Sequence, residues 1–298
     1  MRALAIDFGG TKTALAVVDG DGNLLARAER ASHEDGRPLA WSAIGSWAAA
    51  ALRSAGLAWS DLAGVGAIVP GIYDSRTGRA WAPNLWGRDE VELRGPLGEA
   101  LEAPLTIDSD RCGYVLGECW RGAAKGARDA VFLAVGTGIG AGILSNGRLV
   151  RGAGGVAGAV GWMATTPHWQ ARYGAVGCLE AEAAGPALAR RFGAATGEAV
   201  VEAARSGDPQ ARRAVAETVE VLAMGIASLI GVLNPEIIVL GGGVMQAQDL
   251  FLEPIRAAVP RWAQPIAARQ CRIEPTALGA DAGILGAARL AFPDPFTS

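Results

Sequence analysis

Asp7 stands between the apolar run Leu4-Ala5-Ile6 and the small-residue turn Phe8-Gly9-Gly10-Thr11-Lys12-Thr13, and a second apolar run continues to Asp19. Gly9 and Gly10 let the backbone turn tightly and bring N–H groups up to an anion. Thr11 and Thr13 add hydroxyls and Lys12 a positive charge. Asp7 can hold a hydrated magnesium ion beside bound phosphates, because this ion keeps several waters and takes few protein carboxylates. The turn is not a Walker loop: there is no Gly-Lys-Thr run, and a strand follows where that motif requires a helix. Taken alone, the segment also reads as an ordinary hairpin turn.

The same pattern returns at residues 132–144, where Gly136-Thr137-Gly138 separates two apolar runs. Both hairpins are followed by an Asp/Asn-Gly turn and a short strand, at Asp19-Gly20-Asp21-Gly22-Asn23 and at Ser145-Asn146-Gly147. The repeat lies far outside the period of a solenoid and reads as an internal duplication. Two turns rich in backbone N–H groups, one in each half, suit a clamp for a polyphosphate. Gly136-Thr137-Gly138-Ile139-Gly140 opens like a dinucleotide fingerprint, but no helix follows and no ribose-binding acid sits at the right distance, which argues against a Rossmann site. Gly241, Gly242 and Gly243 after a strand mark a third close approach, suited to a nucleobase or ribose lying on bare backbone.

The 298 residues are 50% hydrophobic, enough for one large or two modest cores. With 27 basic and 30 acidic residues the formal charge is −3, and no long run of like charge occurs. That balance lacks the footprint of nucleic-acid or membrane binding and points to a small-molecule partner. The first apolar run breaks at Asp7, too soon for a signal-peptide core, and no apolar run reads as a membrane span, so a cytoplasmic location is expected. Cys112, Cys119, Cys178 and Cys271 show no CxxC spacing and read as free thiols. With only His33 and His168 present, a carboxylate is the expected catalytic base.

Strand and helix signals alternate along the chain. Strands are expected at residues 24–29, 65–69, 105–107 and 237–240. Helices are expected at 39–55, near 93–100, from Ser109-Asp110 to Trp120, from Cys178 to Phe192, at 215–233 and at 281–291. Residues 82–85 and 152–161 read as irregular, and the tail after Pro293 as frayed. The class is α/β with mixed sheets.

Residues 7–13, Pro70-Gly71, Ala82-Pro83-Asn84-Leu85, Gly117-Glu118, residues 136–140, Gly177-Cys178-Leu179-Glu180 and residues 240–243 together resemble, in order and spacing, the ROK family of bacterial sugar kinases and related repressors. The resemblance covers essentially the whole chain. It implies an actin-like, hexokinase-type ATPase fold with duplicated sheets, a smaller domain at 1–106 plus 283–298 and a larger one at 107–282. ATP and a sugar would lie in the cleft between them, with Mg2+ as cofactor and a homodimer as the usual assembly.

Carried over residue by residue, the resemblance makes Asp110 the general base, against the local alternative that it caps its helix. Gly9, Gly10, Thr11, Lys12, Thr13, Gly136, Thr137 and Gly138 would hold phosphates, and Gly241, Gly242 and Gly243 the nucleoside. Gly71, Asn84, Ser109, Asp110, Glu180 and Trp162 would meet the sugar. Where the family has Asn before the catalytic Asp, this chain has Ser109, and where it has Glu-x-x-His it has Ala159 and Trp162. Of the family's Cys-x-Cys-Gly-x-x-Gly-Cys run, residues 171–178 keep only Cys178, so no structural zinc is expected. Packing by Trp162, Trp169 and Tyr173 would hold that loop instead, and Trp162 could stack on a sugar or plug the vacated space. The expected activity is ATP-dependent phosphorylation of a hexose-like acceptor that differs from glucose where Glu and His normally bind. The alternative is a catalytically inactive sugar- or nucleotide-binding protein. A sugar-responsive regulator is not expected, since the first hairpin leaves no room ahead of it for a helix-turn-helix.

Overall fold

The computed structural model describes residues 1–293 and divides into two compact units. The first takes in Met1–Gly126, Arg151–Val156 and the chain from Leu278; the second takes in Ala127–Val150 and Ala157–Ala277. The frayed tail expected after Pro293 lies outside the described residues.

In the first unit, β1 (Arg2–Phe8), β2 (Lys12–Asp19) and β3 (Leu24–Ala31) form an antiparallel meander. After helix α1 (Trp41–Ser54), β4 (Gly64–Val69) joins β1 in parallel, and β5 (Leu105–Ser109) joins β4 in parallel. Helix α2 (Asp110–Arg121) starts where β5 ends. The strand order is therefore β5-β4-β1-β2-β3.

The second unit repeats this plan with β6 (Ala130–Val135), β7 (Ile139–Ser145), β8 (Arg148–Leu149), β9 (Ile237–Gly241) and β10 (Arg272–Pro275). Its order is β8-β7-β6-β9-β10, with the same antiparallel and parallel pairings as the first sheet. The duplication expected from the hairpins thus extends to all five strands of each sheet. Between β8 and β9 lie helices α3 (Cys178–Ala183), α4 (Gly185–Phe192), α5 (Gly197–Arg205) and α6 (Pro209–Leu233), and α7 (Gln248–Ala258) follows β9. Helix α8 (Asp281–Ala291) returns to the first unit.

The period-2 alternation of β1 and β2 separates the first sheet's two faces. Leu4, Ile6, Phe8, Leu15 and Val17 pack with Ile44, Trp47 and Leu52 of α1. Ala3, Ala5, Ala14, Ala16 and Val18 pack with Ile284, Leu285, Ala287 and Ala288 of α8. The second face is built of alanines, so helices approach it closely. A side-chain carbon at Gly66 would overlap the Ala287 carbonyl, one at Gly286 the Gly113 carbonyl, and one at Gly117 the Ala282 carbonyl.

Several expectations change. The boundary expected at residue 106 falls inside the first unit, because β5 is hydrogen-bonded to β4 and α2 packs on α8. Residues 83–86 form a single helical turn rather than an irregular stretch. Helix α6 begins at Pro209, ahead of the apolar run: its first turns are polar, and its start is signalled by Asp208, whose carboxylate accepts from the Gln210 and Ala211 N–H groups at 2.8 and 2.9 Å. By length and hydropathy this helix could cross a membrane, contrary to the sequence reading, but much of its apolar surface is buried in the second unit's core, with Leu222, Ile226 and Ile230 at 0–1% exposure.

Adding one methyl at Gly286 should lower the free energy of unfolding by about 1–3 kcal/mol, the usual cost of overpacking, whereas Gly231→Ala, exposed on α6 with open space at its Cβ position, should not. Urea midpoints of the two variants check this.

Candidate active site

Asp7 is the penultimate residue of β1, and the chain reverses immediately beyond it, with the Gly9 N–H donating to the Lys12 carbonyl at 3.0 Å. Thr11 and Lys12 are exposed at the tip, where Lys12 pairs with Glu29 at 2.8 Å. Thr13 departs from its expected phosphate-binding role. It is 1% exposed and its hydroxyl lies 2.9 Å from that of Ser32, which in turn donates to the Gly9 carbonyl at 2.5 Å, so Thr13 braces the turn from beneath. The turn also rests on the short helix Pro83–Trp86: a side-chain carbon at Gly10 would stand 3.2 Å from the Asn84 carbonyl oxygen. Phe8, Trp41 and Trp86 pack together, with ring centroids 5.8–6.4 Å apart, and keep the exposed Asn84 beside the turn.

The N-cap of α2 is Ser109, not Asp110. Ser109 is buried and its hydroxyl accepts from the Cys112 N–H at 3.5 Å, so its expected role as a sugar contact gives way to a role as helix cap. Asp110 is left as the first helical residue, its carboxylate accepting from the Arg111 N–H at 2.8 Å and from the Tyr114 hydroxyl. Arg111 donates to the carbonyl of Gly71 at 3.1 Å. Gly71 has φ +95, and a side-chain carbon there would overlap the Trp81 carbonyl, which accounts for this glycine on backbone grounds.

Burial pushes the Asp110 carboxyl up to about 6, against the opposing pull of Arg111. Burial, reinforced by the charge of Asp110, pushes Asp7 up to about 7. The Asp7 carboxylate lies at the first turn of α8, where a side-chain carbon on Gly283 would overlap it and come within 3.1 Å of Tyr114. Sequence reasoning missed Gly283 and Tyr114. Their only signals are a glycine one turn into an apolar helix and a tyrosine one turn beyond Asp110.

In the second unit, the Gly136 N–H donates to the Gly138 carbonyl at 2.9 Å, closing the second turn, and the Gly136 carbonyl accepts from the Gly185 N–H at 2.8 Å. Thr137 and Gly138 are exposed. Glu180 on α3 lies against this turn, its carboxylate accepting from the Ile139 N–H at 2.6 Å, and burial moves its pKa upward.

Beside the turn opens a cavity of about 690 Å³ walled by Gly136, Thr137, Gly243 and Val244 and by residues of α4 and α5, among them Gly185, Ala189, Val201 and Glu202. Of the three glycines Gly241, Gly242 and Gly243 at the end of β9 and just beyond it, only Gly243 lines it. Side-chain carbons at Gly241 and Gly242 would overlap Phe132 and the Val135 carbonyl, so these two serve the sheet. The α4 and α5 wall was not read from the sequence. Gly185-Pro186 and Thr196-Gly197, which start the two helices, are its only local marks.

A model of the ROK family matches residues 3–293. The chain belongs to the ROK family. It is 32% identical to a glucokinase of Halalkalibacterium halodurans over 95% of this chain and 92% of that one. Among solved structures, the ROK hexokinase of Thermus thermophilus superposes with a TM-score of 0.83 at 32% identity, covering 97% of each chain. A ROK family glucokinase from Streptomyces griseus, solved in complex with glucose and AMPPNP, gives 0.75 at 29% identity, covering 97% of this chain and 99% of that one. The two mixed sheets are those of the actin-like ATPase fold that these ROK structures share.

Tyr173 is buried, its hydroxyl donating to Glu182 at 2.7 Å, and Trp169 meets it edge-on at 5.9 Å. Cys178 lies 3.4 Å from the Thr165 N–H and hydroxyl. Among the described residues no group of three or more His, Cys, Asp or Glu side chains converges as a metal site. Of the three aromatics expected to hold the loop, Trp162 does not plug it: it stands 57% exposed on the turn Val160–Trp162.

Because Asp7 and Asp110 bind protons more tightly in the folded than in the unfolded chain, their charges oppose folding. The cost is full above about pH 7 and fades as the pH falls toward 4. Asp7→Asn should therefore stabilise the ligand-free protein at pH 8, on the order of a few kcal/mol, with the gain shrinking by pH 5. Urea unfolding at both values measures it.

Proposed function

We propose that this ROK protein is an ATP-dependent sugar kinase in which Asp110 accepts the proton of the acceptor hydroxyl. The observation that carries this is the release of Asp110 from capping duty. With Ser109 as the cap, the Asp110 carboxylate is left in a partly buried setting beside Asp7 and Tyr114, with a pKa raised to about 6. A base near that value is ionised at neutral pH yet still holds a proton well.

The cavity beside Gly136 and Gly243 has the size of a nucleoside site and borders the second glycine turn, which supports placing the adenosine of ATP there and its phosphates along Thr137 and Gly138. Gly9, Gly10, Thr11 and Lys12 would serve the phosphates from the first unit. Asp7 is a buried carboxylate whose proton affinity the charge of Asp110 raises, a setting that suits a divalent cation, so Asp7 fits Mg2+ held through water. Bound there, the ion would neutralise phosphate charge. In the transfer, the acceptor oxygen forms its bond to the γ-phosphorus, the bond to the β-phosphate oxygen breaks, and the hydroxyl proton passes to Asp110.

Asn84, Asp110, Glu180 and Trp162 are the residues assigned to the sugar. Trp162 offers an exposed ring where the family pattern has a polar contact, so the acceptor is a hexose or hexose-like polyol read at that edge by shape and stacking.

Asp110→Asn should lower the rate of acceptor-dependent ADP formation about 10²–10⁴-fold while leaving nucleotide affinity near the parent value. ADP release with a panel of sugars measures it, and a parent protein that turns over with no acceptor would refute the kinase reading. The same panel should rank a sugar other than glucose first; glucose as the clear best acceptor would refute the assignment of Trp162.

A further inference from the structure

Asp108 is 3% exposed and carries a carboxylate two residues before Asp110. One of its oxygens accepts from the Ser109 N–H at 2.8 Å. The other is held by Arg151, whose Nε and a terminal nitrogen both stand 2.7 Å away. Arg151 is half-exposed and comes from far along the chain. It opens Arg151–Val156, a six-residue stretch that belongs to the first unit although the chain on both sides of it belongs to the second.

The stretch has a second fixed point at Gly155, whose φ is +72 and where a side-chain carbon would stand 2.6 Å from the Tyr73 carbonyl. Gly152 within the stretch, at φ +73, and Gly158 just beyond it, at +89, also have left-handed backbone. The side chain that ties this otherwise glycine-rich stretch to β5, the strand that leads into Asp110, is therefore Arg151, and the chain runs on from the stretch to the turn that ends in Trp162.

We infer that Arg151 is a positioning residue for the acceptor half of the reaction, through its paired hydrogen bonds to Asp108. This rests on the kinase reading above. The pair does two separable things. It compensates a buried negative charge, which any neutral residue at 108 would also remove, and it fixes the stretch to the end of β5, which only an intact pair does. Displacement of a reacting group by an ångström can cost about two orders of magnitude in rate.

Arg151→Ala should lower kcat/KM for the acceptor 10–100-fold with the KM for ATP changed less than twofold, and should lower Tm. Adding Asp108→Asn to that variant should restore Tm without restoring kcat/KM. Amide hydrogen exchange across residues 151–156 should quicken in both variants. Parent-like acceptor kinetics in Arg151→Ala, or recovery of kcat/KM together with Tm in the double variant, would overturn the inference. A parent inactive toward every sugar would instead overturn the kinase reading, and exchange across 151–156 would then decide the tie: unchanged protection in Arg151→Ala would overturn it.

Discussion

The close approach of α8 and α2 to the alanine face of the first sheet is the constraint on which the geometry around Asp7 and Asp110 depends. Ala3, Ala5, Ala14 and Ala16 present little more than methyl groups, and Gly66, Gly113, Gly117 and Gly286 remove the side chains that would hold the helices away. As a result the last residues of β1, the first turn of α2 and the first turn of α8 share one small volume, and Asp7, Asp110 and Tyr114 become neighbours there. The raised proton affinities of the two carboxylates follow from the same packing, since helices so close leave little room for the water that would solvate them.

The duplicated sheets carry equivalent hairpins, but side chains around the two turns differ. The first turn is braced by Thr13 and Ser32 and bordered by carboxylates. The second is underlain by Glu180 and opens on a cavity lined largely by small and apolar residues. One duplicated device thus carries two environments: a buried pair of carboxylates in one unit and a cavity of small and apolar residues in the other.

The hairpins, the buried strands and the helices with clear apolar periodicity were legible in the sequence because period and turn residues are local signals. The domain boundary was not, because β5 belongs to the first sheet through hydrogen bonds to a strand some forty residues earlier. Thr13 and Ser109 looked like ligand contacts because hydroxyls at a turn or a helix entry serve ligands and backbone alike, and only burial separates the two uses. The α4 and α5 wall of the cavity went unread for a related reason: its alanines and glycines are also what an ordinary helix pair would use.

Helix α8 completes a sheet whose strands are all made in the first 109 residues, yet it lies at 281–291, after the last strand of the second unit at 272–275. During synthesis the second unit's sheet is whole before the first unit's alanine face is covered. The order of completion is therefore the reverse of the order of appearance, and Asp7, among the first residues translated, reaches its final surroundings only when nearly the whole chain has left the ribosome. A chain cut short before Gly283 would keep both glycine turns and lack the helix that closes over the Asp7 carboxylate.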